Sequence, residues 1–148
     1  MSGSGGQPPK RNKPLPDGYE VLLTSNGKYD VMVKSKVLRE MVKKASEEKR
    51  ADLDALIRKY VQEGPASLPR SRFNSDEGWF PSDRAPGKIR LQAFKPWQMR
   101  AYGFCCDFNA RPTFFITGID PSKKQNDANQ NILAAAGLEA VRVSQLVK

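Results

Sequence analysis

Hydrophobic and polar residues follow two different periods along this chain, and each period predicts a type of element. In "YEVLLTSNGKYDVMV" two short β-like runs flank Asn26-Gly27, a dipeptide that suits the positive φ angles of a tight hairpin turn. In "SKVLREMVKKASEEKRADLDALIRKYVQEG" apolar residues recur at spacings of three and four, as on one face of a helix. Gly64-Pro65 ends that pattern as a helix C-terminus should. We predict a hairpin, followed by two amphipathic helices or by one helix broken near Ser46 to Arg50.

The second half of the chain has mainly strand-like patterns. The segment from Pro65 to Gly87 is rich in Pro, Ser, Asp and Gly, which predicts a long and mostly irregular loop. Three consecutive strands are predicted in "KIRLQAF", "QMRAYGFCCDF" and "TFFITGI", the last two forming a hairpin with Asn109 and Pro112 near its turn. A short helix is predicted in "NDANQNILAAAG" and a closing strand in "AVRVSQLV". The helix has Asn126 or Asp127 as its N-cap and Gly137 just past its end.

This order of elements predicts an α+β domain, with a helix pair packed on one face of a mainly antiparallel sheet. Residues 1–17 are rich in Gly, Ser, Pro and Lys, and they predict a disordered basic tail or a leftover of cloning. Residues 18–148 form a single domain in this interpretation, because 148 residues suffice for one ordinary core.

Charge and composition narrow the classes of function. Lys and Arg number 25 against 16 Asp and Glu, and this net charge of +9 suits a phosphate-rich partner such as RNA or the ribosome. The chain has no histidine, which excludes the usual Ser-His-Asp and Cys-His catalysis. The adjacent Cys105 and Cys106 are interpreted as small core residues of a reducing compartment. No apolar run is long enough for a membrane helix or a signal segment, so we expect a soluble cytoplasmic protein with no metal, cofactor or membrane partner.

Strand alternation suggests where phosphate-binding side chains gather. Arg100 and Tyr102 share one face of their strand, and Lys88 and Arg90 share one face of the preceding strand. If these faces coincide, Arg90, Arg100 and Tyr102 line one surface, with Lys95 just beyond the first strand. Clustered cations beside an aromatic ring suit a phosphate and a stacked base. A lysine whose pKa is lowered by neighbouring cations can act as a base, and arginine can stabilise a charged transition state. The alternative is an ordinary solvated basic surface.

The segment "GKIRLQAFKPWQMRAYGFCCDFNARPTFFITGIDPSKKQNDANQNILAAA" resembles the RelE/ParE toxin superfamily, especially its HigB-like, phage-derived members. Members of that superfamily often have a strand ending in Leu-Arg, a strand of the form Tyr-Arg-x-x-Tyr, an apolar strand and a Lys-Lys segment before an alanine-rich helix. The stretches "KIRL", "MRAY", "FFITGI" and "SKKQNDANQNILAAA" match these in order.

The resemblance implies a toxin of a toxin–antitoxin pair that cleaves mRNA on the ribosome without a metal, with an antitoxin protein as its partner. Carried over by position, it implies a catalytic set drawn from one strand, the preceding connection and the lysine turn: Lys95, Arg100, Tyr102, Lys123 and Lys124. Lys88, Arg90 and Arg111 are predicted as further RNA contacts.

Two other functions stay open at this point. One is a non-catalytic nucleic-acid or ribosome-binding protein, and the other is a ParE-like inhibitor of DNA gyrase. Both are compatible with a C-terminus, "VSQLVK", that contains neither the tyrosine nor the histidine that many nuclease members carry there.

Overall fold

The first hydrophobic runs form the predicted strand–strand–helix–helix unit. A computed structural model describes residues 13–24, 28–121 and 129–148. Its elements in chain order are β1 (Tyr19–Leu23), β2 (Asp30–Lys34), α1 (Ser35–Lys44), α2 (Glu47–Glu63), β3 (Phe73–Pro81), β4 (Lys88–Phe94), β5 (Arg100–Phe108), β6 (Arg111–Asp120) and α3 (Gln130–Leu146). A 3₁₀ turn at Pro65–Ser67 follows α2. The strands β1 and β2 pair antiparallel as predicted, although their Asn26-Gly27 turn lies outside the described residues.

The break between the two helices occurs where the sequence predicts it. The hydroxyl of Ser46 accepts a hydrogen bond from the backbone N–H of Lys49, which satisfies one of the donors at the start of α2. Gly64 ends α2 with φ of 89°, a left-handed conformation that glycine adopts without steric strain. Both predicted helix boundaries are therefore confirmed.

The six strands form one open sheet in the order β1-β2-β6-β5-β4-β3. Every neighbouring pair is antiparallel except β2 and β6, which run parallel. The predicted α+β class, the mainly antiparallel sheet and the three consecutive strands are confirmed. The β5–β6 hairpin closes through Asn109 and Ala110, whose φ angles of 52° and 64° fit a two-residue turn near the predicted place.

Both faces of the sheet are covered, because its central strands are hydrophobic on both sides. Phe114 of β6 points to the helix pair and packs edge-to-face against Tyr60 and Phe94, with ring centroids 5.7 and 4.9 Å away. Its neighbour Phe115 points the other way, into a second cluster that contains Ala140 of α3. The helix pair packs on one face as predicted, and α3 covers the opposite face.

The prediction of a mostly irregular loop between Pro65 and Gly87 is wrong for Phe73–Pro81, which forms the edge strand β3. Its sequence, "FNSDEGWFP", is polar because an edge strand has less apolar surface to bury. An irregularity in the pairing lies between Asn74 and Gly78, which weakens the period-two pattern that marks a strand in sequence.

The C-terminal prediction is also wrong, since α3 continues to Leu146 and no closing strand follows it in the described residues. Its N-cap is Asn129, whose side chain accepts hydrogen bonds from two backbone N–H groups; the predicted caps Asn126 and Asp127 lie outside the described residues. Gly137 lies inside the helix rather than after it. A Cβ there would come within 2.2 Å of the Phe80 ring, so glycine lets the ring pack against the helix backbone.

The cysteines differ from their predicted role. Both are free thiols, Cys105 is exposed, and Cys106 is half-buried against the α3 side of the core. The prediction that they are small core residues is therefore wrong for Cys105 and only partly met by Cys106. Among the described residues, no helix is both long and apolar enough to cross a membrane.

Candidate nucleic-acid interface

A groove of about 310 Å³ lies where β4 ends and β5 begins. We call it the Arg–Lys groove, and it is lined by Ser71, Arg72, Lys95, Pro96, Trp97, Gln98, Met99 and Arg100. Arg72 comes from the segment before β3, Lys95 from the β4–β5 connection and Arg100 from the first position of β5. Two residues of the predicted catalytic set, Lys95 and Arg100, thus lie in one concave surface.

The connection from β4 to β5 is a tight turn with fixed backbone geometry. The N–H of Met99 donates to the carbonyl of Pro96 at 3.1 Å, and Gln98 has φ of 53° at the third position, as in a type II turn. The side chain of Met99 is 2% exposed and anchors the turn in the core. The Trp97 N–H donates to the Asp52 carboxylate at 3.2 Å, which ties the turn to α2. Trp97 itself is 70% exposed.

The cations of the groove are partly neutralised by carboxylates. Arg72 donates to Asp52 at 3.2 Å, and both side chains are partly exposed. Lys95 donates from Nζ to the carbonyl of Arg70 at 3.4 Å. Because an arginine has five N–H donors, a single hydrogen bond leaves Arg72 with donors for a further anion. The groove can therefore bind a phosphate without first losing its internal ion pair.

Arg100 and Tyr102 belong to a buried polar cluster on the α3 side of the sheet. Arg100 donates to the Glu77 carboxylate of β3 at 2.5 Å, and the two side chains are 14% and 7% exposed. Glu77 also accepts from Asn74 at 2.8 Å. Tyr102 is completely buried, and neither its hydroxyl nor Nε of Arg100 has a hydrogen-bond partner among the described residues. Burial, reinforced by the nearby Glu77 carboxylate, raises the pKa of Tyr102 to about 12.

The predicted surface of Arg90, Arg100 and Tyr102 does not form, because the strand register separates these side chains. Tyr102 lies directly opposite Ala93, so it shares a face with that residue and not with Arg90. Lys88 and Arg90 lie instead over the ring of Trp79, with Nζ and Cζ 4.5 and 4.4 Å from its centroid. These two predicted RNA contacts therefore form a separate basic patch, the Trp79 patch, on the other side of β4.

Arg111 lies at the opposite end of β5 and β6 from Arg100, next to the hairpin turn. Its guanidinium binds both carboxylate oxygens of Asp30, at 2.7 and 3.0 Å. Burial alone would raise the pKa of Asp30, but hydrogen bonds from Arg111 and Thr24 outweigh it and hold that pKa below its ordinary value. Arg111 is therefore an ion-pair partner at a distance from the Arg–Lys groove.

Lys123 and Lys124 lie outside the described residues, so their predicted roles stay predictions. The last described residue before them is Pro121, whose carbonyl accepts a hydrogen bond from Lys49 of α2 at 3.0 Å. In residues 13–24, 28–121 and 129–148, the side chains that commonly bind metals do not gather in groups of three or more.

Sequence reasoning did not find three residues of this region: Arg72, Glu77 and Trp97. Arg72 and Glu77 lie in the segment predicted as a loop, and only the fold brings them to Arg100. The turn position of Trp97 could have been predicted from the sequence, because Pro96 immediately before it favours a turn between two strands.

Comparisons of the chain with protein-family models, with curated proteins and with solved structures find no match. The resemblance to the RelE/ParE superfamily therefore depends only on the motifs quoted above and on the order of the elements.

Proposed function

We propose that this protein binds single-stranded RNA through the Arg–Lys groove. The observation that supports the proposal is that Lys95 and Arg100, predicted from the order of motifs, line one groove with a further cation, Arg72, and an exposed aromatic ring, Trp97. Cations bind backbone phosphates of any sequence, and aromatic rings stack on unpaired bases. The net charge of +9 favours association with a polyanion at low salt.

The specific form of this proposed function is a toxin that cleaves mRNA on the ribosome and is held in check by an antitoxin. In RNA cleavage by the 2′-OH, negative charge develops on the scissile phosphate, and a permanently charged guanidinium such as Arg100 stabilises it. Tyr102 is buried beneath the sheet surface and does not line the groove. In this proposal the proton transfers fall to Lys95 and to the predicted lysines Lys123 and Lys124, rather than to the tyrosine.

A non-catalytic RNA- or ribosome-binding protein is the second candidate. It is favoured by the ion pair between Arg100 and Glu77, because a guanidinium bound to a carboxylate is less available to a phosphate. Binding requires only the phosphate contacts of Lys95 and Arg72, whereas cleavage also requires Arg100 to reach the scissile phosphate.

The experiment combines RNA binding in solution with mRNA 5′-end mapping in bacteria. Binding of a labelled single-stranded 12-mer RNA is measured by fluorescence anisotropy across a salt series, for wild type, Lys95→Gln and Arg58→Gln. Arg58 is the matched control, because it is exposed on α2 and, among the described residues, forms its ion pair with Asp54 of the same helix. Loss of affinity in Lys95→Gln, with a salt slope shallower by about 0.7, supports the groove. Equal affinities for all three proteins would contradict it.

Induced expression in bacteria then distinguishes a ribosome-dependent nuclease from a non-catalytic binding protein. New 5′ ends inside translated codons, absent with Lys95→Gln, support a ribosome-dependent nuclease. Growth arrest with intact mRNA and RNA binding in solution supports the non-catalytic binder. Growth arrest with DNA damage and no RNA binding would contradict both RNA-binding functions and would support the inhibition of DNA gyrase.

A further inference from the structure

We propose that Trp97 is a nucleobase-stacking residue, on which one unpaired RNA base lies while its phosphate contacts Lys95 and Arg72. This inference depends on the proposed RNA-binding function and adds to it the residue that recognises the base. The proposed ligand is single-stranded RNA, because both faces of a base in a duplex are already stacked on neighbouring bases.

The first support is that an exposed ring is held by a rigid backbone. Trp97 is 70% exposed, yet the residues on both sides of it are fixed: the N–H of Lys95 donates to the carbonyl of Arg72 at 2.7 Å, and the turn is closed by Met99 and Pro96. The backbone N–H of Trp97 itself is bound to Asp52. Binding a base to such a ring orders little further chain, so little conformational entropy is lost.

The second support is the position of the ring between two concave surfaces. Trp97 lines the Arg–Lys groove on one side and, on the other, a groove of about 530 Å³ against α2, lined by Ser46, Glu48, Lys49, Ala51, Asp52 and Ala55. A base stacked on the ring thus lies beside the groove that contains Arg72 and Lys95, and on the α2 side beside Lys49, where Glu48 and Asp52 also line the surface. Each base presents a π-face, so this kind of contact tolerates any sequence.

The third support is the contrast with the other tryptophan. The ring of Trp79 already has two cations over it, Lys88 and Arg90. For Trp97, the structure records neither a cation nor another aromatic ring over its indole within the described residues. A base can therefore stack on Trp97 without displacing a side chain of the protein.

The two tryptophans make the test direct, because they are the only two in the chain. In Trp79→Phe, Trp97 is the sole indole, and in Trp97→Phe, Trp79 is. Each full-length variant is titrated with unlabelled single-stranded 12-mer RNA while indole emission is followed, and the same samples are measured by anisotropy with labelled RNA. Trp97→Ala is added as the truncation, and thermal melting checks that each variant is folded.

The expected result is saturable quenching in Trp79→Phe at the RNA concentration where anisotropy saturates, and little quenching in Trp97→Phe. Trp97→Ala should weaken RNA binding about tenfold or more, the usual loss for one stacked base. Wild-type affinity in Trp97→Ala together with unchanged emission in Trp79→Phe would overturn the stacking role while leaving RNA binding intact. A Trp97→Ala variant that binds RNA normally but no longer arrests growth would assign the ring to a protein partner and also overturn it. Wild type that binds no RNA would instead overturn the proposed function itself.

Discussion

Arg100 of β5 and Glu77 of β3 form an ion pair that crosses the intervening strand β4. In β4, the small residue Ala93 lies opposite both Asn74 of β3 and Tyr102 of β5. The pair links the edge strand to the middle of the sheet, and it also holds the residue on which the proposed phosphate chemistry depends. One contact therefore affects both stability and function, and experiments on Arg100 must separate the two.

Replacing Arg100 alone should destabilise the protein. Arg100→Ala leaves Glu77 as a buried carboxylate without its cation, and breaking such a pair costs about 3 kcal/mol. Urea denaturation of wild type and Arg100→Ala measures this loss. An unchanged free energy of unfolding would show that the pair contributes nothing.

The matched control for that variant is the double substitution Arg100→Met with Glu77→Gln, which removes both charges and keeps the side-chain volumes. It should recover most of the lost stability, because no charge is left buried without a partner. RNA binding and mRNA cleavage are then compared between the double variant and Glu77→Gln alone. Lost activity in the stable double variant, with activity kept in Glu77→Gln, identifies Arg100 as functional.

Removing the Tyr102 hydroxyl should cost no stability. Since this buried hydroxyl has no hydrogen-bond partner among the described residues, Tyr102→Phe should be neutral or should stabilise the fold by up to about 1 kcal/mol. Tyr19→Phe is the matched control, because the Tyr19 hydroxyl donates to Glu139 at 2.8 Å and its loss should destabilise by about 1 kcal/mol. Thermal melts rank the variants, and a large loss in Tyr102→Phe would reveal a partner for the hydroxyl.

Gly137→Ala should destabilise the protein, although alanine is the better helix former by about 1 kcal/mol. The new methyl group would lie 2.2–2.5 Å from ring atoms of Phe80, so that ring has to move. Overpacking of this kind costs about 1–3 kcal/mol. Denaturant titration of the variant gives the net value.

The cause of that loss is tested in a Phe80→Leu background. Without the ring, Gly137→Ala should become neutral or stabilising, because only the gain in helix propensity remains. The double-mutant cycle therefore predicts a coupling energy of at least about 1 kcal/mol. A Gly137→Ala effect that is the same in both backgrounds would exclude the steric explanation.

The Asp30–Arg111 pair should make stability depend on acid pH. Because the pKa of Asp30 is lowered in the folded protein, the stabilisation is complete above the unfolded value of 3.8 and is lost as pH falls below it, through the folded value. Melting temperatures of wild type and Arg111→Gln should therefore differ most above pH 5 and converge towards pH 2. A difference in melting temperature that stays constant from pH 5 to pH 2 would mean that the Asp30–Arg111 ion pair does not cause it.

Elements with a clear hydrophobic pattern could be predicted from the sequence. The helix pair carries a helical period and β4 alternates, whereas β5 and β6 contain continuous apolar runs; all of these elements were placed correctly. The edge strand β3 could not be predicted, because its polar residues and its irregular pairing carry no period. In α3, the rule that glycine ends a helix is overridden by the tertiary contact between Gly137 and Phe80. Buried positions in the second half of that helix, such as Ala140, Val143 and Ser144, show the helical spacing that was taken for a strand.

Only part of the candidate site could be predicted, because the sequence does not reveal the pairing register of β4 with β5. Lys95 and Arg100 flank one connection, so their closeness follows from chain order alone. Whether Arg90 joins them depends on which residue of β5 lies opposite which residue of β4, and a shift of one position exchanges the two faces. Arg72 and Glu77 reach the region through β3 and the chain just before it, so their role could not be found before that strand was known.

The parallel pairing of β2 with β6 also determines when this chain can fold during its synthesis. Asp30 and Arg111, which close that pairing, are 81 positions apart. While a ribosome makes the protein, β1, β2 and both early helices emerge long before the strand that completes their half of the core. The rings of Phe73, Phe94 and Phe114, which later pack against Tyr60, are then still missing. The nascent chain therefore exposes apolar surface until β6 has left the exit tunnel, and binding by a chaperone should be strongest in that interval.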